Sequence, residues 1–170
     1  MAGQWFVPRE MMHDYLGESN AGLDSDLDAL AAYFATLKPR KPPAPPAEST
    51  ALIEKGKEIF FSSKTSCASC HPPPFYTDSG KRDTDGKFIL HDVGTRLPTE
   101  GKQHQRIDTP SLIGLRRSEP YLHDGRAKTI EEIFTKFNIE DQHGQTSHLS
   151  EEQIHALAEF MRYLKQAEAK

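Results

Sequence analysis

Cysteine is scarce in this chain, with only two among its 170 residues. Two cysteines are too few for a disulfide framework. No apolar run approaches the length that crosses a bilayer, which excludes an integral membrane protein. The 21 basic and 25 acidic residues give a formal net charge of −4. Because no basic stripe alternates with aromatic residues, nucleic acid is not an expected partner.

The first ten residues have neither the basic start nor the apolar stretch of a signal peptide. We therefore expect either that an export signal has been removed or that the chain is a piece of a longer protein. Apolar residues at helical spacing predict a helix over 25–37. Its sequence aligns without a gap with the end of the chain: LDALAAYFATLK at 27–38 and IHALAEFMRYLK at 154–165. Two helices that end alike indicate two repeats of one domain type.

This repeat and a proline-rich stretch predict the domain organisation. Residues 1–38 are expected to be the C-terminal tail of an upstream domain, because they contain a terminal helix but no cysteine. Residues 39–48 contain five prolines and predict a semi-rigid linker. Residues 49–170 form the second domain, in which Thr129 and Ser150 begin capping-box patterns and so predict two helix starts.

Both cysteines belong to one motif, Cys67-Ala-Ser-Cys70-His71. The C-x-x-C-H spacing is the attachment motif of c-type haem, in which both thiols form thioethers and the histidine binds the iron. Two alternatives use the same residues. A thioredoxin-like redox pair lacks its βαβ surroundings here, and a zinc site would need two further histidines beside Cys67 and Cys70.

Three further motifs follow in order: Asp108–Leu112 (DTPSL), Glu119–Gly125 (EPYLHDG) and Thr129–Glu132 (TIEE). With them the chain resembles, from about Ala51 to Leu164, the C-terminal haem domain of the di-haem cytochrome c peroxidase and MauG family. The likeness is to the subset often fused to β-propellers. It implies a mostly α, class I cytochrome c-like helical bundle around one covalent haem, in which a small residue at Gly56 lets the terminal helix cross closely.

Residues 72–128 hold most of the remaining proline and glycine and so predict a long irregular loop, in which we allow a short β-hairpin around Lys87–Thr95. The resemblance places the iron's second ligand, a methionine or tyrosine in the family, at the position of Phe137, which cannot ligate. We expect His143 in the following loop to take this role, with His148 as the alternative. If neither does, the distal iron face is open to hydrogen peroxide.

The remaining expectations concern the surroundings of the haem. The resemblance implies that His123 shapes the pocket and that calcium could be held by carbonyls of Ser118 and Pro120. The haem edge needs apolar cover, for which Phe137 is a candidate. Arg126 is a candidate partner of a haem propionate.

The expected function is electron transfer with an upstream haem domain or another redox protein. The alternative is a peroxidase or oxidase acting on hydrogen peroxide. Thioether attachment takes place outside the bacterial cytoplasm, so we expect a periplasmic or otherwise extracytoplasmic protein.

Overall fold

The residues that the structure describes, in a computed structural model, are 22, 24–36, 43–97, 99–101 and 105–165. They form five α-helices: α1 (Ser25–Thr36), α2 (Thr50–Phe60), α3 (Cys67–Cys70), α4 (Ile130–Lys136) and α5 (Glu151–Arg162). Short 3-10 turns lie at Ala47–Ser49 and Leu115–Arg117. The expectation of a mostly α protein is confirmed. Within these ranges, every helix is too short or too polar to span a lipid bilayer.

The two predicted capping signals begin helices. The Ser150 side chain accepts a hydrogen bond from the Gln153 backbone N–H, and the Gln153 side chain accepts one from the Ser150 N–H. Thr129 caps α4 by accepting from Glu132 N–H, while the Glu132 carboxylate accepts from the backbone of Lys128. These bonds satisfy N–H groups that the first turn of a helix otherwise leaves without partners.

The core lies where α2 crosses α5. Gly56 is buried at this crossing, and a Cβ placed on it would lie 1.9 Å from the Ala156 carbonyl oxygen. The absence of a side chain therefore lets the two helices meet backbone to backbone, as the sequence predicted. One turn further along, the rings of Phe60 and Phe160 pack 5.3 Å apart. The same cluster includes apolar residues of α4 and α5: Ile130, Ile133, Leu157, Ala158 and Met161.

Apart from the 3-10 turn at Leu115–Arg117, the described residues between 72 and 128 are irregular, as expected, but the hairpin around Lys87–Thr95 is not formed. The described part of the chain contains isolated antiparallel bridges in place of strands: Arg82 with Phe88, His91 with Ile107, and Tyr121 with Ala127. The turn closes earlier than predicted because the Asp83 side chain accepts hydrogen bonds from the N–H groups of Asp85 and Lys87. His91 then pairs with a partner 16 residues away rather than with its neighbours.

Helix α1 begins at the predicted residue, and position 37 lies outside the described residues. It buries none of its residues. Its apolar side chains are exposed, including Leu27 at 58% and Tyr33 at 59%. The corresponding side chains of α5 are buried in the core: Ile154, Leu157, Ala158 and Met161.

Replacing Gly56 by alanine tests the helix crossing. The added methyl group collides with the backbone of Ala156, so we expect the free energy of unfolding to fall by about 2 kcal/mol or more, even though alanine is the better helix former by about 1 kcal/mol. Denaturant unfolding measures the change. Glu58→Ala, an exposed site on the same helix, is the control and should change stability by less than about 0.5 kcal/mol. Equal stabilities for the two variants would contradict the close contact.

Candidate functional site

The C-x-x-C-H motif forms a single helical turn. Ser66 enters it with a φ of 59°, and the His71 N–H donates to the Cys67 carbonyl at 3.0 Å. The two thiols are not joined to each other and are both partly buried. Burial raises the pKa of the Cys67 thiol. Residues three apart on a helical turn project to the same side, so both thiols face one region of the structure beside His71.

The His71 ring is fixed by the loop that follows it. Its Nδ1 lies 3.0 Å from the Tyr76 carbonyl oxygen. A carbonyl only accepts, so Nδ1 carries the proton and Nε2 keeps its lone pair. Burial lowers the pKa of His71, which keeps the ring neutral near pH 7. A neutral imidazole whose other nitrogen donates to a carbonyl is the usual form of a metal-ligating histidine.

The DTPSL motif holds that carbonyl in place. It runs beside the segment 75–79 and is bonded to it at four points: Ser111 Oγ to Phe75 O, Leu112 N to Tyr76 O, Thr77 Oγ1 to Thr109 O, and Ser79 Oγ to Asp108 Oδ2. The motif therefore fixes the backbone segment whose Tyr76 carbonyl orients the His71 ring.

The ring of His143 faces the ring of His71. The two ring centroids are 6.4 Å apart, with 37° between the ring planes. Burial, and secondarily the charge of His71, lowers the pKa of His143 to about 4. Its Nδ1 is enclosed and has no hydrogen-bond partner. Leaving such a buried polar atom unsatisfied costs about 1–3 kcal/mol, so the ring is poised for a group that the protein itself does not supply.

A metal centre between the two rings fits this geometry. Bonds from metals to imidazole nitrogens are about 2 Å long, and two such bonds plus the two ring radii account for a separation of 6.4 Å. Both rings are neutral near pH 7, as ligation requires. With two thiols on the adjoining turn, the donor set suits a covalently held haem.

The loop that carries His143 is attached to the cysteine turn. The Gln145 N–H donates to the Thr65 carbonyl at 3.1 Å. Thr65 itself is buried, and its hydroxyl donates to the carbonyl oxygens of Ile59 and Ser62. Gly144 has a φ of 77°, and a Cβ there would lie 3.0 Å from the Thr65 carbonyl oxygen and 3.8 Å from the Cys67 sulfur. Only a glycine gives the loop both this backbone conformation and this close approach.

The structure places the other predicted site residues differently. His148 is exposed, whereas His143 faces His71. His123 Nε2 lies 3.0 Å from the Glu100 carboxylate. Arg126 donates to Asp124 and to the Thr95 carbonyl, and its guanidinium carbon lies 5.7 Å from the centre of the Phe137 ring. Roles for His123, Arg126 and Phe137 toward a haem stay predictions.

Comparison with known families decides the assignment. The family described as di-haem cytochrome c peroxidase matches residues 51–170, which is most of the chain. The chain belongs to the di-haem cytochrome c peroxidase family. It is accordingly a haem-binding redox protein, and the predicted resemblance is confirmed.

Two curated relatives agree with this family assignment. The hydrazine synthase subunit gamma of Kuenenia stuttgartiensis is 28% identical over 171 residues, covering 81% of this chain and 48% of the relative. The methylamine utilization protein MauG of Methylorubrum extorquens is 31% identical over 81 residues, covering 46% of this chain and 23% of the relative. The chain therefore spans about half or less of the length of these relatives.

Solved structures agree on the fold. Kuenenia stuttgartiensis hydrazine synthase superposes with a TM-score of 0.65 at 26% identity, covering 81% of this chain and 55% of the other. A MauG-like protein associated with microbial copper homeostasis superposes with a TM-score of 0.51 at 19% identity, covering 83% and 48%; at that identity the likeness shows the fold alone. These neighbours confirm the cytochrome c-like fold expected for this member of the di-haem peroxidase family.

Sequence reasoning missed one pair in this family member, a buried Asp78 beside a partly buried His91. Asp78 is only 5% exposed, and its Oδ2 lies 2.8 Å from His91 Nε2. The other ring nitrogen, Nδ1, lies 3.6 Å from the Cys70 sulfur. No sequence signal distinguishes His91 from other loop histidines, because only the path of the long loop brings it to the cysteine turn.

The positions of Asp78 and His91 beside Cys70 test the alternative of a zinc site. The ligand atoms of Cys70, Asp78 and His91 lie within 4.8 Å of one another. Asp78 and Cys70, however, face opposite nitrogens of the His91 imidazole, and one ion bonds to only one of them. A single zinc ion therefore does not fit the side chains as they stand, whereas the facing imidazoles suit the haem of a di-haem peroxidase family member.

Replacing Gly144 by alanine tests the attachment of the histidine loop. Gly86 provides a matched control, because its φ of 75° is nearly the same and nothing lies within 4 Å of a Cβ placed there. Both variants carry the strain of a left-handed alanine, but only Gly144→Ala crowds Thr65 and Cys67. We expect it to lower the free energy of unfolding by about 1 kcal/mol more than Gly86→Ala does. Equal losses in denaturant unfolding would show that the contact is unimportant.

Proposed function

We propose that this chain is a c-type cytochrome domain that carries one haem and transfers electrons. Cys67 and Cys70 would hold the haem through thioethers, and His71 and His143 would be the two ligands of its iron. Haem bound in this way supplies an iron that takes up and releases one electron at a time. The observation that carries the proposal is the pair of partly buried, neutral imidazoles whose centroids lie 6.4 Å apart beside the cysteine turn.

The placement of His143 favours electron transfer over peroxide chemistry at this site. With both His71 and His143 bound, the iron would have no position left for hydrogen peroxide, and such a haem transfers electrons rather than activating peroxide. His143 is also held close to the cysteine turn by its own loop, through Gln145 and Thr65. An open distal face, as in a peroxidase or oxidase, would require this ring to leave its position.

We further propose that the chain is part of a longer di-haem protein. Residues 1–38 would be the tail of an upstream cytochrome c-like domain, 39–48 the linker and 49–170 the present domain. The exposed apolar side chains of α1 and their likeness to the buried ones of α5 support this organisation. The electron partner is then the upstream haem domain or another redox protein. Calcium held by carbonyls of Ser118 and Pro120, and a periplasmic location, belong to the same proposal.

Covalent attachment is tested by co-expressing the chain with an extracytoplasmic haem maturation system. We expect one haem per chain by the pyridine haemochrome assay, with haem that resists acid and organic extraction because two thioethers hold it. The Cys67→Ser/Cys70→Ser variant should lose its haem on extraction, since it has no thiols to form thioethers. A haem-free native chain that contains zinc would overturn the proposal in favour of the zinc site.

The distal ligand is tested by His143→Ala in the haem-loaded chain. We expect a low-spin ultraviolet-visible spectrum in the native protein and a high-spin spectrum in the variant, because the iron loses one of its two imidazoles. The variant, unlike the native protein, should change its spectrum when hydrogen peroxide is added. His148→Ala is the matched control from the same loop and should behave as the native protein does. A high-spin native protein that reacts with peroxide would instead favour the peroxidase.

A further inference from the structure

We propose that Asn138 is a positioning residue that holds His143 against the iron and so keeps the distal face closed to small ligands. This inference rests on the proposed function, because it assumes that His143 is the distal ligand. Asn138 follows Phe137, the residue that caps the end of α4, and is only 3% exposed. Neither the C-x-x-C-H motif nor the family motifs include it.

The Asn138 side chain binds both sides of the His143 residue. Its Oδ1 accepts a hydrogen bond from the His143 N–H at 2.7 Å. Its Nδ2 lies within hydrogen-bond distance of the carbonyl oxygens of His143 at 3.1 Å and Gly144 at 2.7 Å, and of Thr146 Oγ1 at 2.8 Å. The two Nδ2 hydrogens are shared among these three acceptors. One buried amide thus fixes the backbone on both sides of the histidine ring.

These hydrogen bonds from Asn138 matter because no hydrogen bond at Nδ1 orients the His143 ring. Its Nδ1 is enclosed and unpartnered, so the position of the imidazole follows from the position of the backbone. The next turn of the loop has its own support, since Asp141 accepts hydrogen bonds from the N–H groups of Thr146 and Ser147. Losing the Asn138 amide would therefore make the backbone around His143 more mobile. The turn at Thr146 and Ser147 would keep its hydrogen bonds to Asp141.

Two substitutions separate the parts of the contact. Asn138→Ala removes both the acceptor and the donors. Asn138→Asp has nearly the same shape and keeps the acceptor for the His143 N–H, but it sets a carboxylate oxygen against the carbonyls of His143 and Gly144. Ser147→Ala is the matched control, because it removes one hydroxyl bond to Asp141 in the same loop and leaves the Asn138 contacts intact.

The experiment uses the full haem-loaded chain and measures the high-spin fraction by optical and electron paramagnetic resonance spectra, together with the rate of cyanide binding. We expect both Asn138 variants to raise the high-spin fraction and to speed cyanide binding by about tenfold or more, the size expected when a local closed state loses one or two net hydrogen bonds. Added imidazole should restore the low-spin spectrum. Ser147→Ala should match the native protein.

The His143 and Asn138 variants together separate ligation by His143 from positioning by Asn138. If His143→Ala converts the iron to high spin but Asn138→Ala and Asn138→Asp do not, the role of Asn138 is overturned while the ligation stands. If His143→Ala leaves the spectrum unchanged, the ligation is wrong and the positioning role falls with it. Should Asn138→Ala fail to fold, as judged by circular dichroism, the near-isosteric Asn138→Asp variant gives the answer alone.

Discussion

The backbone contact between Gly56 on α2 and Ala156 on α5 is the constraint on which the rest of the domain depends. Because the two helices meet without an intervening side chain, Phe60 and Phe160 are brought ring to ring at the end of α2. The end of that helix sets the start of the turn in which Thr65 is buried. The cysteine turn follows at once, so its position is a consequence of how the two helices pack.

The candidate site is assembled on this frame from segments far apart in the chain. One turn supplies the two thiols and His71, the long loop supplies the Tyr76 carbonyl that orients the ring, and a loop before α5 supplies His143. Burial keeps both imidazoles uncharged, which leaves lone pairs for a metal centre at the cost of a buried polar atom without a partner. Because the ligating side chains come together only in the folded chain, loading and folding are expected to be coupled.

Phe137 stands where the family has a methionine or tyrosine ligand, and its surroundings in the structure fit this difference. The Phe137 ring lies near the Arg126 guanidinium and packs on the core, so the end of α4 serves packing rather than ligation. The next residue, Asn138, holds the loop that brings His143 opposite His71. In our proposal the distal ligand has thereby moved from the helix end to the loop, and the fold shared with hydrazine synthase and the MauG-like protein is unchanged.

Local patterns determined much of this protein. The C-x-x-C-H spacing, the capping signals at Thr129 and Ser150 and the glycine at the helix crossing each depend on near neighbours or on helical periodicity, and each could be identified from the sequence. Tertiary structure alone decided which histidine faces His71, that His91 and Asp78 lie beside Cys70, that Asn138 holds the distal loop, and that the expected hairpin does not form. Those contacts join residues through irregular loops, whose paths follow from packing and hydrogen bonds across the fold and leave no periodic signal in the sequence.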